Sequence, residues 1–282
     1  KFFIFFTTAI AILLSIIVSL NLPNYYISQA VLLPVDSDNS GNNLSSYSGL
    51  ASLAGINLPK SSTSNVDQII AIIKSREFVK HLLTFDGILP AIMATDSYDH
   101  SSQKIEFDKD KYDSENATWI EAKPSYLDVH LAYKNIMSVS QDIDTGLVLI
   151  SVEHKSPEFA KILLEKIISE ANNIQRQKDI YSSGRALEHL KEELGKTSLA
   201  EIKISINQLI ESQLERQMLA NINQEYSLEI IEPPYIPEIK SKPKRSVIVI
   251  WSTILGFIIG LISALYRFYS NDLKNVLKST GI

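Results

Sequence analysis

The side chains that most often carry out chemistry in proteins are sparse in this chain and stand apart from one another. It has no cysteine, which excludes disulfides and thiolate chemistry. It has no glycine-rich phosphate loop ending in Gly-Lys-Ser/Thr. Five histidines lack the His-x-x-x-His spacing and the helical glutamate partner of zinc sites: His81, His100, His130, His154 and His189. These patterns predict a protein that is not an enzyme and holds neither a metal nor a cofactor.

Two acidic clusters come closest to an ion-binding pattern. Residues 108–113, Asp-Lys-Asp-Lys-Tyr-Asp, alternate like a calcium loop but lack the glycine and the closing glutamate of that loop. Asp142 and Asp144 flank a predicted turn, where aspartate is common because its side chain bonds to the nearby backbone. We therefore interpret the first cluster as a solvated charge run and the second as turn chemistry.

Two apolar runs bracket the chain, at residues 2–20 and 247–265. Each has about 19 residues and, at ~1.5 Å per residue, spans roughly the ~30 Å hydrocarbon core of a bilayer. A signal peptide has a shorter apolar stretch and a small-x-small cleavage site, whereas residues 2–20 lead into Asn-Leu-Pro-Asn. We predict transmembrane helices at 1–20 and 246–266, with the chain between them on one side of the membrane and both ends on the other.

The charged residues near the ends of the runs indicate which side of the membrane holds the chain between them. The net charge of −5 provides no electrostatic footprint for nucleic acid. The predicted short tail, residues 267–282, carries Arg267, Lys274 and Lys278 against Asp272, which favours the cytoplasm. The basic residues of 240–245 argue the reverse. Because long translocated domains largely escape the charge rule, the tail carries more weight.

The periodicity between the runs predicts an α+β fold, in which a membrane-proximal α/β base carries a long projecting helical hairpin. The first part of the base covers 21–155, the helical arm 156–225, and a returning strand with a proline-rich junction 226–245. Within the base, we predict strands at 25–35, 137–141 and 147–153, a helix from Val66 ended by Gly87 and Pro90, and a helix at 125–138. Residues 96–118 are predicted to be irregular and 36–48 to form a loop, while 49–56 suit a surface helix or a loop equally.

The helical arm has the strongest local signal. Ser156 suits an N-cap and Pro157 the first helical position. Helical periodicity then continues for ~40 residues, ~60 Å if unbroken, with Gly184 and Gly195 as weak points. A second helical pattern covers 202–222, and the strand at 226–232 is expected to pair with that at 25–35. A helix pair folded onto the base is the alternative to a projecting hairpin. The candidate contact residues on the outside of the arm are Arg176, Lys178, Arg185 and Lys191.

A proline-rich junction precedes the second apolar run. Prolines favour an extended, stiff connector, and two glycines four residues apart let membrane helices approach closely. The pattern consists of Pro233, Pro234, Pro237, Pro243 and Lys244, followed after eleven residues by Gly256-x-x-x-Gly260. It closely resembles that of the Wzz-type O-antigen chain-length determinants of the polysaccharide co-polymerase family. That family usually has serine before the Pro-Lys pair, where this chain has Lys242.

The resemblance implies a two-pass protein of the bacterial inner membrane, with the bulk of the chain in the periplasm. It implies a ring-like homo-oligomer that controls O-antigen chain length in lipopolysaccharide biosynthesis. The implied partners are a Wzy-type polymerase, the growing lipid-linked glycan and membrane lipids. Two alternatives remain open: an inner-membrane component of capsule or exopolysaccharide export, and a membrane-anchored periplasmic sensor or adaptor. A sensor needs an output module, for which we expect no room in the ~17 residues after the second apolar run.

Overall fold

The computed structural model of the chain describes residues 2–35 and 65–279. The loop predicted at 36–48 and the segment 49–56 lie outside these residues. The chain divides into two units. The helix-pair unit comprises Lys1–Tyr26 and Glu238–Ile282, and the base unit comprises Ile27–Pro237.

The described helices, in chain order, are α1 (Phe2–Asn21), α2 (Asn65–Ile73), α3 (Arg76–Leu82), α4 (Ile88–Met93), α5 (Tyr126–Ile136), α6 (Pro157–Lys196), α7 (Ala200–Ile222) and α8 (Arg245–Ser279). The described strands are β1 (Tyr26–Pro34), β2 (Thr95–Asp99), β3 (Lys104–Phe107), β4 (Tyr112–Asp113), β5 (Thr118–Trp119), β6 (Met137–Gln141), β7 (Val148–His154) and β8 (Leu228–Glu232). The fold is α+β, as predicted.

In the helix-pair unit, α1 and α8 pack along each other. Among the described residues, Arg245–Ser263 is the one helical stretch long and apolar enough to cross a membrane by length and composition. The apolar part of α1, Phe5–Asn21, is shorter. Helix α8 continues to Ser279, so most of the predicted tail at 267–282 is a helical extension of the second apolar run.

A four-stranded sheet with the order β6-β7-β1-β8 forms the centre of the base unit. Strand β8 runs antiparallel to β1, with Leu32 opposite Ile230, which confirms the predicted pairing of these distant segments. Strands β6 and β7 form the predicted hairpin. Its turn is closed by the Asp142 carboxylate, which accepts hydrogen bonds from the backbone N–H groups of Asp144 and Thr145, as expected for turn chemistry.

The hydrophobic core lies between this sheet and the helices around it. The first half of α6 packs on β7 and on helices α2 and α3, and its side chains Leu163, Leu164 and Ile167 are fully buried. The core extends along α6 to Ala171. The first four turns of α6 therefore belong to the base. The part of α6 outside the hydrophobic core begins after Ala171, later than the arm boundary predicted at residue 156.

The remaining length of α6 pairs with α7. Helix α6 has 40 residues and is continuous through Gly184 and Gly195. A Cβ added at Gly184 would lie 3.9 Å from Nε2 of Gln217, so the Gln217 side chain of α7 lies beside α6 at this point. Among the described elements, α7 packs extensively on α6 alone. This packing favours the hairpin over a helix pair folded onto the base.

Two local predictions were wrong. The helix predicted from Val66 is divided into α2 and α3, because the hydroxyl of Ser75 accepts the Phe78 N–H and so caps the start of α3. Pro90 does not end this helix, since it lies inside the separate helix α4. Residues 96–118 are not irregular, since β2 pairs with β3 and β4 with β5. Lys155 holds this region by donating to the carbonyl oxygens of Thr95 and Asp96.

Candidate interaction surfaces

The helix-pair unit is held together by small side chains on both helices. Gly256 and Gly260 of α8 are buried. A Cβ added at Gly256 would lie 2.5 Å from the Cβ of Ala11 in α1. Ser15 and Ser19 continue the same side of α1 and are also buried. We call Ala11, Ser15, Ser19, Gly256 and Gly260 the helix seam. It places Gly256, one of the two predicted packing glycines, in a contact within one chain.

The outer surface of the helix pair is apolar. Large side chains on both helices are more than half exposed: Phe5, Leu13, Ile17, Trp251, Leu255 and Ile262. Soluble proteins seldom expose apolar patches of this extent. The hydrocarbon interior of a lipid bilayer is apolar and therefore suits such a surface. Helices inside a bilayer usually contact each other through small residues. This distribution is typical of helices that face lipid.

The downstream half of the proline-rich junction is bound to the segment that follows α1. The Tyr25 N–H donates to the carbonyl of Lys242 over 3.0 Å, and the Ser241 N–H donates back to the carbonyl of Tyr25 over 2.8 Å. The Arg245 guanidinium donates to the side-chain oxygen of Asn24. Lys244 is exposed, and its carbonyl accepts the Val247 N–H in the first turn of α8. These bonds fix where the second apolar helix begins relative to the end of the first.

The upstream half of the junction is bound to the base unit. The Ser28 hydroxyl, on β1, donates to the carbonyl of Tyr235 over 2.7 Å. Pro234 and Pro237 are buried, whereas Pro233 is exposed. Two of the three prolines therefore contribute packed surface as well as a stiff backbone.

Asn172 connects α6 to the start of strand β8 by hydrogen bonds. Its side chain is 3% exposed. Its amide oxygen accepts the N–H groups of Ser227 and Leu228, both over 2.9 Å, and its amide nitrogen donates to the carbonyl of Leu228. Two turns further along α6, buried Asp179 accepts the Tyr226 hydroxyl over 2.9 Å. Neither residue stood out in the sequence, where both belong to an ordinary polar stretch of helix.

A cleft of ≈ 570 Å³ lies beside the hydrogen bonds of Asn172. It is lined by residues of α6, of the segment between α7 and β8, of β8 and of the junction: Glu165, Ile168, Ser169, Glu170, Asn172, Asn173, Arg176, Gln224, Glu225, Ile230, Pro233 and Pro234. Burial acts to raise the pKa of Glu170, but hydrogen bonds from His81, over 2.8 Å, and from Lys166 outweigh it and lower that pKa. The Glu170 carboxylate in the wall of the cleft is therefore bound to His81 and Lys166, two side chains outside the cleft lining.

The four candidate arm contacts do not form one patch. Arg176 is half-buried in the cleft, where its guanidinium donates to the side chain of Asn173 over 3.1 Å. Lys178, Arg185 and Lys191 are exposed. At 3.6 residues per turn, Lys178 and Arg185 share a face of α6, and Arg176 lies on a different side.

His154 has a structural surrounding in the base unit. His154 is buried, and its Nε2 donates to the carbonyl of Ala91 over 2.9 Å while its Nδ1 accepts the Ser156 N–H. Burial lowers the pKa of His154 to about 4, so the neutral ring serves as a fixed hydrogen-bonding unit. Within residues 2–35 and 65–279, no group of His, Asp and Glu side chains is arranged to hold a metal ion.

No family model matches the chain, and no curated protein matches it. One similar solved structure is a full-length bacterial polysaccharide co-polymerase, 12% identical, with a TM-score of 0.40 over 98% of this chain and 95% of that one. Another is a fragment of WzzB, a polysaccharide co-polymerase from Salmonella Typhimurium, 14% identical, with a TM-score of 0.31 over 78% of this chain and 100% of the fragment. Neither likeness is strong enough to carry function, which has to follow from the chain's own residues.

Proposed function

We propose that this chain is a non-enzymatic regulator of the chain length of a bacterial surface polysaccharide such as O-antigen. In this proposal it acts in the inner membrane beside a Wzy-type polymerase. The observation that carries it is the junction. Its proline spacing resembles that of the chain-length determinants, and both of its halves are hydrogen-bonded, the first to β1 and the second to the segment after α1.

The proposed topology has two membrane spans, α1 and α8. The apolar part of α1 is short by length alone, but its small side chains pack on α8 and its outer face is apolar. A helix that pairs with a membrane span and exposes only apolar groups outward is stable in lipid and poorly stable in water. With both helices spanning, the base unit lies on one side, which we assign to the periplasm.

The proposed mechanism is geometric. In this proposal the protein supplies no bond-forming chemistry of its own. Length would then be set by holding polymer and polymerase near each other, on the scale of the ~60 Å helix α6. A homo-oligomeric ring of such arms would present the polymer with a repeated surface.

The proposal is tested by the polysaccharide of a strain that lacks this chain. We expect polymer to be made but its modal length to be lost, because the polymerase remains and its regulator does not. Expression of the wild-type chain should restore the modal band. If the strain exports no polymer, the chain is a component of export instead. If the length distribution of the polysaccharide is unchanged, a sensor or adaptor is favoured.

A further inference from the structure

Helix α7 carries an apolar stripe that points away from its own subunit. Met218 is 62% and Ile222 70% exposed, and Glu215 lies one turn before them on the same side of the helix. The opposite side of α7 includes buried Ala220 and lies against α6. No part of the chain that the structure describes covers this stripe. We call Glu215, Met218 and Ile222 the α7 stripe.

Helix α5 carries a second stripe of the same kind. Leu127 is 43% and Leu131 62% exposed, and exposed Lys134 follows on the same side of the helix. The opposite side of α5 is formed by fully buried Val129 and Tyr133. We call Leu127, Leu131 and Lys134 the α5 stripe.

The two stripes match when the helices run antiparallel. From Glu215 to Met218 to Ile222 the steps are three and four residues, and from Lys134 back to Leu131 to Leu127 they are also three and four. Each stripe is therefore ~10 Å long. The antiparallel register places Glu215 opposite Lys134, Met218 opposite Leu131 and Ile222 opposite Leu127. Neither Glu215 nor Lys134 takes part in an ion pair within the described residues.

The topology places the stripes near opposite edges of the sheet. Helix α5 leads directly into β6, one edge strand, and α7 leads through a short connection into β8, the other edge strand. Two different complementary surfaces on opposite edges of one subunit make a head-to-tail contact, which closes into a ring when the rotation permits. A self-complementary dimer would instead need one surface facing its own copy.

We propose that the α7 stripe of one subunit packs antiparallel on the α5 stripe of the next. This inference rests on the homo-oligomer of the proposed function and names the surfaces that build it. The apolar side chains provide the buried centre of the contact, and the Glu215–Lys134 pair fixes its register, since exposed ion pairs select a partner more than they strengthen it.

Cysteine cross-linking of the full chain in native membranes tests the register, because the chain has no cysteine of its own. A Leu131→Cys, Met218→Cys variant should form a ladder of disulfide-linked multimers on mild oxidation. The matched control is Leu131→Cys with Ile204→Cys. Ile204 lies on the same side of α7 and is 59% exposed, but it is ~21 Å away along the helix. The control should form no ladder.

Charge exchange provides an independent test. Glu215→Lys or Lys134→Glu alone should lower the yield of the ladder, and the two together should restore it. Native mass spectrometry in mild detergent separates the two possible failures. A multimer without a position-specific ladder overturns this interface and leaves the proposed function standing. A strictly monomeric chain overturns both.

Discussion

The helix seam can be tested by moving a single methyl group across it. Gly256→Ala places a Cβ 2.5 Å from the Cβ of Ala11, whereas ordinary contacts begin near 3.4 Å. The two helices must therefore separate by about 1 Å at this point, and overpacking of this kind costs ~1–3 kcal/mol. In the double variant Ala11→Gly, Gly256→Ala the nearest remaining neighbours of the added Cβ are Thr8 Cα at 3.5 Å and Thr7 O at 3.7 Å, which are ordinary contacts. The double variant should therefore recover most of the lost stability.

Trp251 on α8 provides the assay. The chain has two tryptophans, so Trp119→Phe leaves Trp251 as the fluorescent reporter of the helix-pair unit during thermal unfolding in mild detergent. We expect Gly256→Ala to lower the midpoint by roughly 2–10 °C and the double variant to return it towards the parent value. Leu255→Ala, on the exposed outer face, is the control and should have little effect. A Gly256→Ala midpoint equal to that of the parent, or a double variant no better than the single one, would refute the seam.

Three further predictions concern the base, the junction and the arm. Replacing every proline of residues 233–237 with alanine should free the connector and alter polysaccharide length at normal protein level; unchanged banding would make the junction a passive linker. His154 is held neutral in the fold, with its pKa lowered to about 4. Its contribution to the free energy of unfolding is therefore present above pH ~6.5 and is lost as the pH falls towards 4. The loss between pH 7.5 and 4.5 is roughly 2–3 kcal/mol. Urea unfolding at both pH values should show that loss in the wild type and not in His154→Gln. Charge reversal of Lys178 and Arg185 together should shift modal length and weaken the oligomer; a shift with an intact oligomer would assign their face to polymer or polymerase.

The elements with local signals were predictable. Ser156 caps α6 as predicted, because a cap depends on residues within one turn of itself. The β6–β7 hairpin followed from its turn residues for the same reason. The pairing of β1 with β8 was predictable from the two apolar runs, since strands that leave and return to paired helices start side by side.

The remaining features depend on residues far apart in the chain. Strand β2 is held by Lys155, about 60 positions away, and a polar strand of five residues has little propensity of its own. Asn172 is buried only because the returning strand crosses it. In α1, the four-residue spacing of Ala11, Ser15 and Ser19 was visible in the sequence, but its partner Gly256 is identified only by the fold.

The central claim is that this chain sets length without forming bonds. The most direct measurement is polymerisation by a purified Wzy-type polymerase in liposomes, with and without the full chain, followed for both the number of linkages formed and the distribution of product lengths. We predict that the chain alone forms no polymer, and that with polymerase it narrows the distribution around a modal length without being required for linkage. Polymer formation by the chain alone, or an unchanged distribution with the oligomer present, would contradict the account.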